Sequence, residues 1–138
     1  PLPPLCLPVL PHGRGGDFVN ALLVMAHGSP RTQANEDIVR AADSLRGSGR
    51  YPIVVVGYLD CNDPDIPAAI DECVAAGATK ITAVPYFLHS GRHFLIDIPE
   101  ILSGGALRHP GVEILMGDYL GRMPQIADIL RDRVAAVR

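Results

Sequence analysis

Residues 81–100, ITAVPYFLHSGRHFLIDIPE, contain the strongest indication of the fold. Residues 81–88 form an almost continuous apolar run, which is typical of a parallel strand that is buried on both faces. The loop that follows, residues 89–94, carries two histidines around a serine and a glycine. Because open α/β sheets bind their ligands at the carboxyl ends of their strands, we expect the functional site at this loop.

The same arrangement recurs along the chain, where short apolar runs alternate with segments whose apolar residues have helical spacing. Strands are predicted at residues 22–26, 53–59, 81–88 and 112–116, and helices at about residues 31–46, 66–76, 97–102 and 124–137. This alternation predicts an α/β fold, a three-layer sandwich in which helices cover both faces of a four-stranded, mainly parallel sheet. Right-handed crossovers would bring the loops after the strands to one edge of that sheet.

Short polar residues indicate where the predicted helices begin. Ser29 and Asp65 are the predicted N-caps of the first two helices, because a side-chain oxygen there can accept a hydrogen bond from the first helical turn. Asp97 is the predicted N-cap of the third helix, with Pro99 in its first turn. His93 would then lie in a flexible loop between the third strand and this helix.

The composition restricts the class of protein. A chain of 138 residues is long enough for one domain, which we place at residues 18–138 after a proline- and glycine-rich tail at residues 1–17. The net charge of −3 gives no reason to expect a nucleic-acid partner, and no apolar run reaches the ~18 residues of a membrane span. The cysteines Cys6, Cys61 and Cys73 form no CxxC pair, so we expect a reducing, cytoplasmic compartment.

Three residues at predicted strand ends are candidates for metal chemistry. His27 and Asp60 follow the first and second strands, and His93 lies beyond the third, each 33 positions after the one before. If the three strands are neighbours, these side chains can reach one cleft. Two imidazoles and a carboxylate suit a divalent ion such as cobalt, iron, nickel or zinc.

Histidines, serines and cysteines in such positions also have ordinary structural interpretations. A histidine at a single strand end is more often a local hydrogen-bonding residue than a ligand. Ser29 lacks the G-x-S-x-G context of a nucleophile, which favours its role as a cap. We interpret His89 as a solvated loop residue, His109 as part of a surface turn, and Cys61 as a packing residue.

In these motifs and their order, residues 20–137 resemble the small CbiX/SirB class of tetrapyrrole chelatases. The resemblance rests on three motifs in order: the strand followed by His27-Gly28-Ser29, the segment Gly57-Tyr58-Leu59-Asp60, and the segment Val84-Pro85-Tyr86-Phe87-Leu88-His89-Ser90-Gly91-Arg92-His93 with Asp97-Ile98-Pro99. It implies the fold of one half of a class II chelatase. Longer relatives contain two such halves, so the resemblance to the short form implies a homodimer.

The resemblance also implies a function and a set of site residues. Members of the class insert cobalt or ferrous iron into sirohydrochlorin during cobalamin or sirohaem biosynthesis, and His27 and His93 match their metal-binding histidines. Asp60 stands where the family often has glutamate, and we expect it to accept protons or to serve as a third ligand. The metal, Co²⁺, Fe²⁺ or Ni²⁺, would be a substrate, and no permanently bound cofactor is expected.

The tetrapyrrole substrate is rich in carboxylates, which calls for cations at the site. We place substrate contacts on Arg31 and Arg92, and on Ser29 and Gly91 of the same two loops; the alternative is that both arginines are solvated. Two other functions remain open. One is a metal- or tetrapyrrole-binding module of the same fold without turnover, and the other is an unrelated α/β hydrolase or transferase with a His/Asp pair.

Overall fold

The computed structural model describes residues 5–6 and 18–137, with the backbone alone at residues 5–6 and 92–95. The strands are β1 (Leu5–Cys6), β2 (Asn20–Ala26), β3 (Ile53–Tyr58), β4 (Lys80–Pro85) and β5 (Glu113–Met116). The helices are α1 (Glu36–Gly47), α2 (Ile66–Ala75), α3 (Arg92–Arg108) and α4 (Gln125–Ala136), with short 3₁₀ helices at Thr32–Asn35 and Leu120–Arg122.

The strands form one sheet in the order β1-β5-β4-β2-β3. The four strands β2 to β5 are parallel to one another, which confirms the predicted α/β fold and its four-stranded parallel sheet. The sheet also has a fifth strand that was not predicted, since β1 pairs antiparallel with β5 over two residues. The rest of the predicted tail at residues 1–17 lies outside the described residues.

Apolar side chains are buried on both faces of the sheet. On one face α2 and α3 contribute six fully buried residues to the larger cluster, namely Ile66, Ala69, Ile70, Cys73, Ile98 and Leu102. On the other face Ala42 of α1 packs with Leu22, Val24 and Val54. Removing such surface from water stabilises the fold by about 25 cal/mol per Å² of apolar area, and this holds the strand ends in place.

The first helix begins later than predicted. Ser29 Oγ accepts a hydrogen bond from the backbone N–H of Arg31, at 3.1 Å, and so forms a local turn instead of a helix cap. The 3₁₀ helix Thr32–Asn35 follows, and α1 starts only at Glu36. The prediction that Ser29 caps this helix was therefore wrong, because its hydroxyl accepts a hydrogen bond from Arg31, before the helix begins.

The third helix is longer than predicted and begins earlier. Gly91, in an extended conformation, is its N-cap, so His93 belongs to the first turn of α3 and not to a flexible loop. Asp97 is an interior residue of α3, not its cap, and Pro99 also lies inside the helix. An interior proline costs about 3 kcal/mol, while burying each large apolar side chain contributes about 1.5–3 kcal/mol. Full burial of Ile98 and Leu102 offsets the cost of the proline.

The second and fourth helices lie close to their predicted bounds. Asp65 caps α2 as predicted, with its Oδ1 accepting from the N–H of Ala68 at 2.9 Å. The strand predicted at residues 81–88 is β4. It ends at Pro85, so the residues from Tyr86 to Leu88 belong to the following loop. Within the described part of the chain, no helix is both long and apolar enough to cross a membrane.

Candidate functional site at the carboxyl edge of the sheet

The three strands that lead to the predicted site residues are adjacent. β2, which leads to His27, lies at the centre and pairs with β3 on one side and β4 on the other. β3 leads to Asp60, and β4 leads through a short loop to α3, which carries His93. The topology therefore brings the three predicted positions to the same edge of the sheet, as expected from their regular spacing.

Backbone hydrogen bonds continue between β2 and β3 beyond the ends of both strands. The N–H of Leu59 donates to the carbonyl of Ala26 at 2.8 Å, and the N–H of Asp60 donates to the carbonyl of His27 at 2.9 Å. His27 and Asp60 are thus directly linked through their main chains, and both residues are exposed. Both side chains are accessible to a ligand at this edge.

Gly28, which follows His27, packs tightly against the loop that follows β3. Its φ is +95°, in the left-handed region that glycine tolerates best. A Cβ at this position would lie only 1.9 Å from the carbonyl oxygen of Asp60. Glycine is therefore required here for two reasons, the backbone conformation and the missing side chain.

Asp60 belongs to a tight turn that its own carboxylate helps to form. The N–H of Cys61 donates to Asp60 Oδ1 at 2.8 Å, and the N–H of Asn62 donates to the carbonyl of Asp60 at 2.9 Å. Cys61 has a φ of +69°, which is unusual for a residue other than glycine. Its side chain is exposed, so the prediction that Cys61 is a packing residue was wrong.

A 3₁₀ helix supports the loop between β4 and α3. The N–H of Tyr86 donates to the carbonyl of Met25 at 2.7 Å, which fixes the start of the loop beside β2. Further on, Gly121 packs against the backbone of Leu88 so closely that a Cβ would lie 1.6 Å from its carbonyl oxygen. His89 is exposed, as its interpretation as a loop residue predicts.

An open cleft of about 480 Å³ lies beside the end of β3. It is lined by Leu59, which directly precedes Asp60, and by Asp97, Glu100 and Ile101 of α3. Glu100 was not among the predicted site residues, because its place beside the end of β3 depends on how α3 packs against the sheet. Two carboxylates in this cleft make its surface favourable for cations.

The remaining predicted residues lie in different environments. Arg31 is exposed on the turn that follows His27, and Ser29 is half-buried beside it. The side chains of Arg92 and His93 lie outside the described residues. Among the side chains that are described, no group of three or more histidines, cysteines and acids could hold a metal ion. The predicted pairing of His27 with His93 therefore stays a prediction.

His109 follows the end of α3 and begins a turn in which the N–H of Val112 donates to its carbonyl at 3.0 Å, as its interpretation as part of a surface turn predicts. Its Nε2 lies 2.7 Å from Asp71 Oδ1, and Arg108 NH2 lies 3.1 Å from the same oxygen. The hydrogen bonds from His109 and then Arg108 lower the pKa of the Asp71 carboxyl below its ordinary value. This pair connects α2 to the end of α3, on elements that flank the site.

A comparison with models of protein families identifies the chain's relatives. The model described as CbiX matches residues 21–137, which is most of the chain and contains all three predicted metal-site positions. The chain belongs to the CbiX family. The resemblance that the sequence motifs carry is thereby confirmed.

Proteins of known name and solved structures also match this chain in sequence and in fold. A sirohydrochlorin cobaltochelatase of Methanothermobacter thermautotrophicus is 38% identical over 128 residues, which cover 82% of this chain and 89% of the relative. A sirohydrochlorin ferrochelatase of Priestia megaterium is 32% identical over 118 residues, 86% of this chain but 44% of the relative. The crystal structure of the sirohydrochlorin chelatase SirB from Bacillus subtilis subspecies spizizenii in complex with cobalt superposes with a TM-score of 0.80 at 26% identity. The match covers 87% of this chain and 51% of SirB.

These relatives differ in length. This CbiX-family chain spans most of the Methanothermobacter cobaltochelatase, about half of the SirB chain, and less than half of the Priestia ferrochelatase. The alignment with SirB therefore leaves room in that protein for a second unit of the same size.

Proposed function

We propose that this CbiX-family chain inserts a divalent metal ion, cobalt or ferrous iron, into the tetrapyrrole sirohydrochlorin. The main observation in support of this function is that β3, β2 and β4 are adjacent in the sheet. Their carboxyl ends lead to Asp60, His27 and the first turn of α3, in that order. Relatives that are sirohydrochlorin cobaltochelatases and ferrochelatases support the substrate and the reaction.

We assign the metal ion to His27 and His93. Imidazole nitrogens suit cobalt and ferrous iron, and two protein ligands leave coordination positions for the pyrrole nitrogens. One imidazole nitrogen cannot hold the metal and a proton at the same time, so another group must accept the protons that the pyrroles lose. Asp60 is our candidate, either as this acceptor or as a third ligand. One of its oxygens already accepts from the N–H of Cys61, which leaves the other for this task.

We assign the tetrapyrrole to the two loops around these residues. Arg31 is exposed directly after the His27 loop, where its guanidinium can pair with a substrate carboxylate. Arg92 follows the N-cap residue Gly91 at the start of α3. The backbone N–H groups at a helix N-terminus also favour anions. Ser29 completes the assignment, since its hydroxyl accepts from Arg31 N–H and retains a proton to donate.

The deciding experiment replaces the two histidines one at a time. We expect His93→Ala and His27→Ala each to abolish insertion of Co²⁺ or Fe²⁺ into sirohydrochlorin, followed by absorption spectroscopy, while circular dichroism shows an intact fold. The matched controls are His89→Ala, an exposed loop residue, and His109→Ala, which is paired with Asp71. Full activity in the His93→Ala protein would contradict the assignment of His93 as a metal ligand. Repeating the insertion assay with Ni²⁺ defines the metal preference.

A binding module without turnover is the second candidate. It is favoured by Asp60, which is one methylene shorter than the glutamate often found there and is partly engaged in its own turn. The same spectra separate the two functions. A binding module shifts the absorption bands of sirohydrochlorin without producing the metallated ring.

We infer that the active unit is a homodimer. The length of SirB, which is about twice the length of the match, supports a cleft formed between two such units. A further support is an apolar surface on α4, where Ile129, Leu130 and Val134 are more than half exposed. The absence of a permanent cofactor, the cytoplasmic location and the separate tail at residues 1–17 stay predictions.

A further inference from the structure

Asn62 connects the loop after β3 to the loop after β2. Its side-chain Oδ1 accepts a hydrogen bond from the backbone N–H of Ser29 at 2.7 Å, across 33 positions of sequence. The same oxygen lies 3.0 Å from the position that a Cβ on Gly28 would occupy. The carboxamide of Asn62 thus touches the two residues that directly follow His27.

The turn around Cys61 aims Asn62 at this target. Asn62 donates its own N–H to the carbonyl of Asp60 at 2.9 Å, while Cys61 takes the left-handed conformation between them. Asp60 in turn donates its N–H to the carbonyl of His27. A closed set of hydrogen bonds therefore runs from His27 through Asp60 and Asn62 to Ser29.

We propose that Asn62 is a positioning residue that fixes the His27 loop relative to Asp60. The proposal rests on the proposed function, since it takes His27 as a metal ligand. Without the Asn62 oxygen, Ser29 N–H loses its partner, and the hydrogen bond from Asp60 N–H to the His27 carbonyl remains between the two loops. A ligand that is free to move costs affinity, because the metal must then order it.

The first test is the affinity for Co²⁺ alone, measured by titration calorimetry. Replacing a residue that orients a metal ligand typically weakens binding about tenfold to hundredfold, which is what we expect for Asn62→Ala. The rescue variant is Asn62→Asp combined with Asp63→Asn, which keeps an oxygen at position 62 and the net charge of the turn. It should restore most of the affinity, and Asp63→Asn alone is the control for charge, with an effect below about twofold.

A double-mutant cycle shows whether Asn62 acts through His27. In a His27→Ala background the Asn62→Ala change should alter the Co²⁺ affinity by less than about twofold, because no ligand remains to be positioned. Additive losses in the cycle, or no rescue by the oxygen-retaining variant, would overturn the proposal. If His27→Ala itself leaves binding unchanged, the proposed metal ligand fails instead, and the following measurement decides the role of Asn62.

Two NMR measurements need no metal. In the wild-type protein the Ser29 amide proton should exchange more slowly than those of exposed loop residues, and fast exchange would contradict the hydrogen bond. In Asn62→Ala the ring signals of His27 should shift and broaden, whereas those of His109, which is held by Asp71, should not move. Unchanged His27 signals would show that Asn62 does not position this ring.

Discussion

Gly28 has a φ of +95°, and the carbonyl oxygen of Asp60 occupies the space that its side chain would need. Gly77 has a similar φ of +103°, but no atom lies within 4 Å of its Cβ position. Adding a side chain at Gly77 would strain the backbone only, because the space is open. Adding one at Gly28 would strain the backbone and also overlap with the Asp60 carbonyl. Their comparison measures how tightly the two site loops are packed.

We expect Gly28→Ala to lower the free energy of unfolding by about 2–5 kcal/mol, from backbone strain and steric overlap together. Gly77→Ala should cost only about 1–2 kcal/mol, because the strain of the left-handed conformation acts alone. Urea denaturation of both proteins gives the comparison. Equal losses in the two variants would show that the loops after β2 and β3 can separate at little cost.

At the scale of elements, one ion-pair cluster joins helices that flank the site. Asp71 of α2 accepts from His109 and Arg108 at the end of α3, and both contacts lower its pKa. A carboxyl whose pKa is lowered by folding stabilises the protein fully at pH values above the pKa that the carboxyl has in the unfolded chain. That stabilisation is lost as the pH falls through the lower folded-state value.

We therefore expect Asp71→Asn to destabilise the protein at pH 7 by about 0.5–1 kcal/mol, since Asp71 is half-exposed and solvent screens the pairs. The difference from wild type should shrink as the pH falls below the ordinary carboxyl value of 3.8 and disappear at lower pH. Thermal denaturation across this range measures it. Asp37→Asn, which breaks an exposed pair within α1, is the control and should have a smaller effect. A destabilisation by Asp71→Asn that does not depend on pH would contradict the ion-pair explanation.

At the scale of the whole molecule, α4 stands out among the helices α1 to α4 because its apolar side chains are largely exposed. None of its residues is buried. An apolar groove of about 310 Å³ opens on the face of the sheet that α1 covers only in part, and Leu120, just before α4, is one of its lining residues. A second copy of the chain that covers these surfaces would explain both, in line with the dimer inferred from relatives of twice the length.

A charge on this surface should separate the subunits. We expect Leu130→Asp to convert the dimer to a monomer, because burying an unpaired carboxylate in an apolar interface is very unfavourable. The matched control is Ala135→Asp, which places the same charge on the opposite side of α4. Sedimentation equilibrium over a range of concentrations distinguishes the species. A monomeric wild-type protein would contradict the homodimer, and a dimeric Leu130→Asp protein would contradict an interface on α4.

Several features of this protein follow from the sequence by itself. Alternation of apolar runs with helical segments determines the parallel α/β sheet, because buried strands and amphipathic helices have different periodicities. The bounds of α2 are local as well, since Asp65 caps the helix within its own turn. The 33-residue spacing of His27, Asp60 and His93 predicts that these three positions share one edge of the sheet, because each interval is one βαβ unit.

Other features are decided only by the tertiary structure. α3 begins before His93 and continues through Pro99, because burial of Ile98 and Leu102 against the sheet outweighs the local preference against proline. An asparagine in a proline-containing turn is a recognisable hydrogen-bonding residue, but its partner Ser29 lies 33 positions away. Periodicity and capping are local properties of a chain. The contact of two loops depends on how the elements pack, and so it becomes visible only when the strands lie side by side.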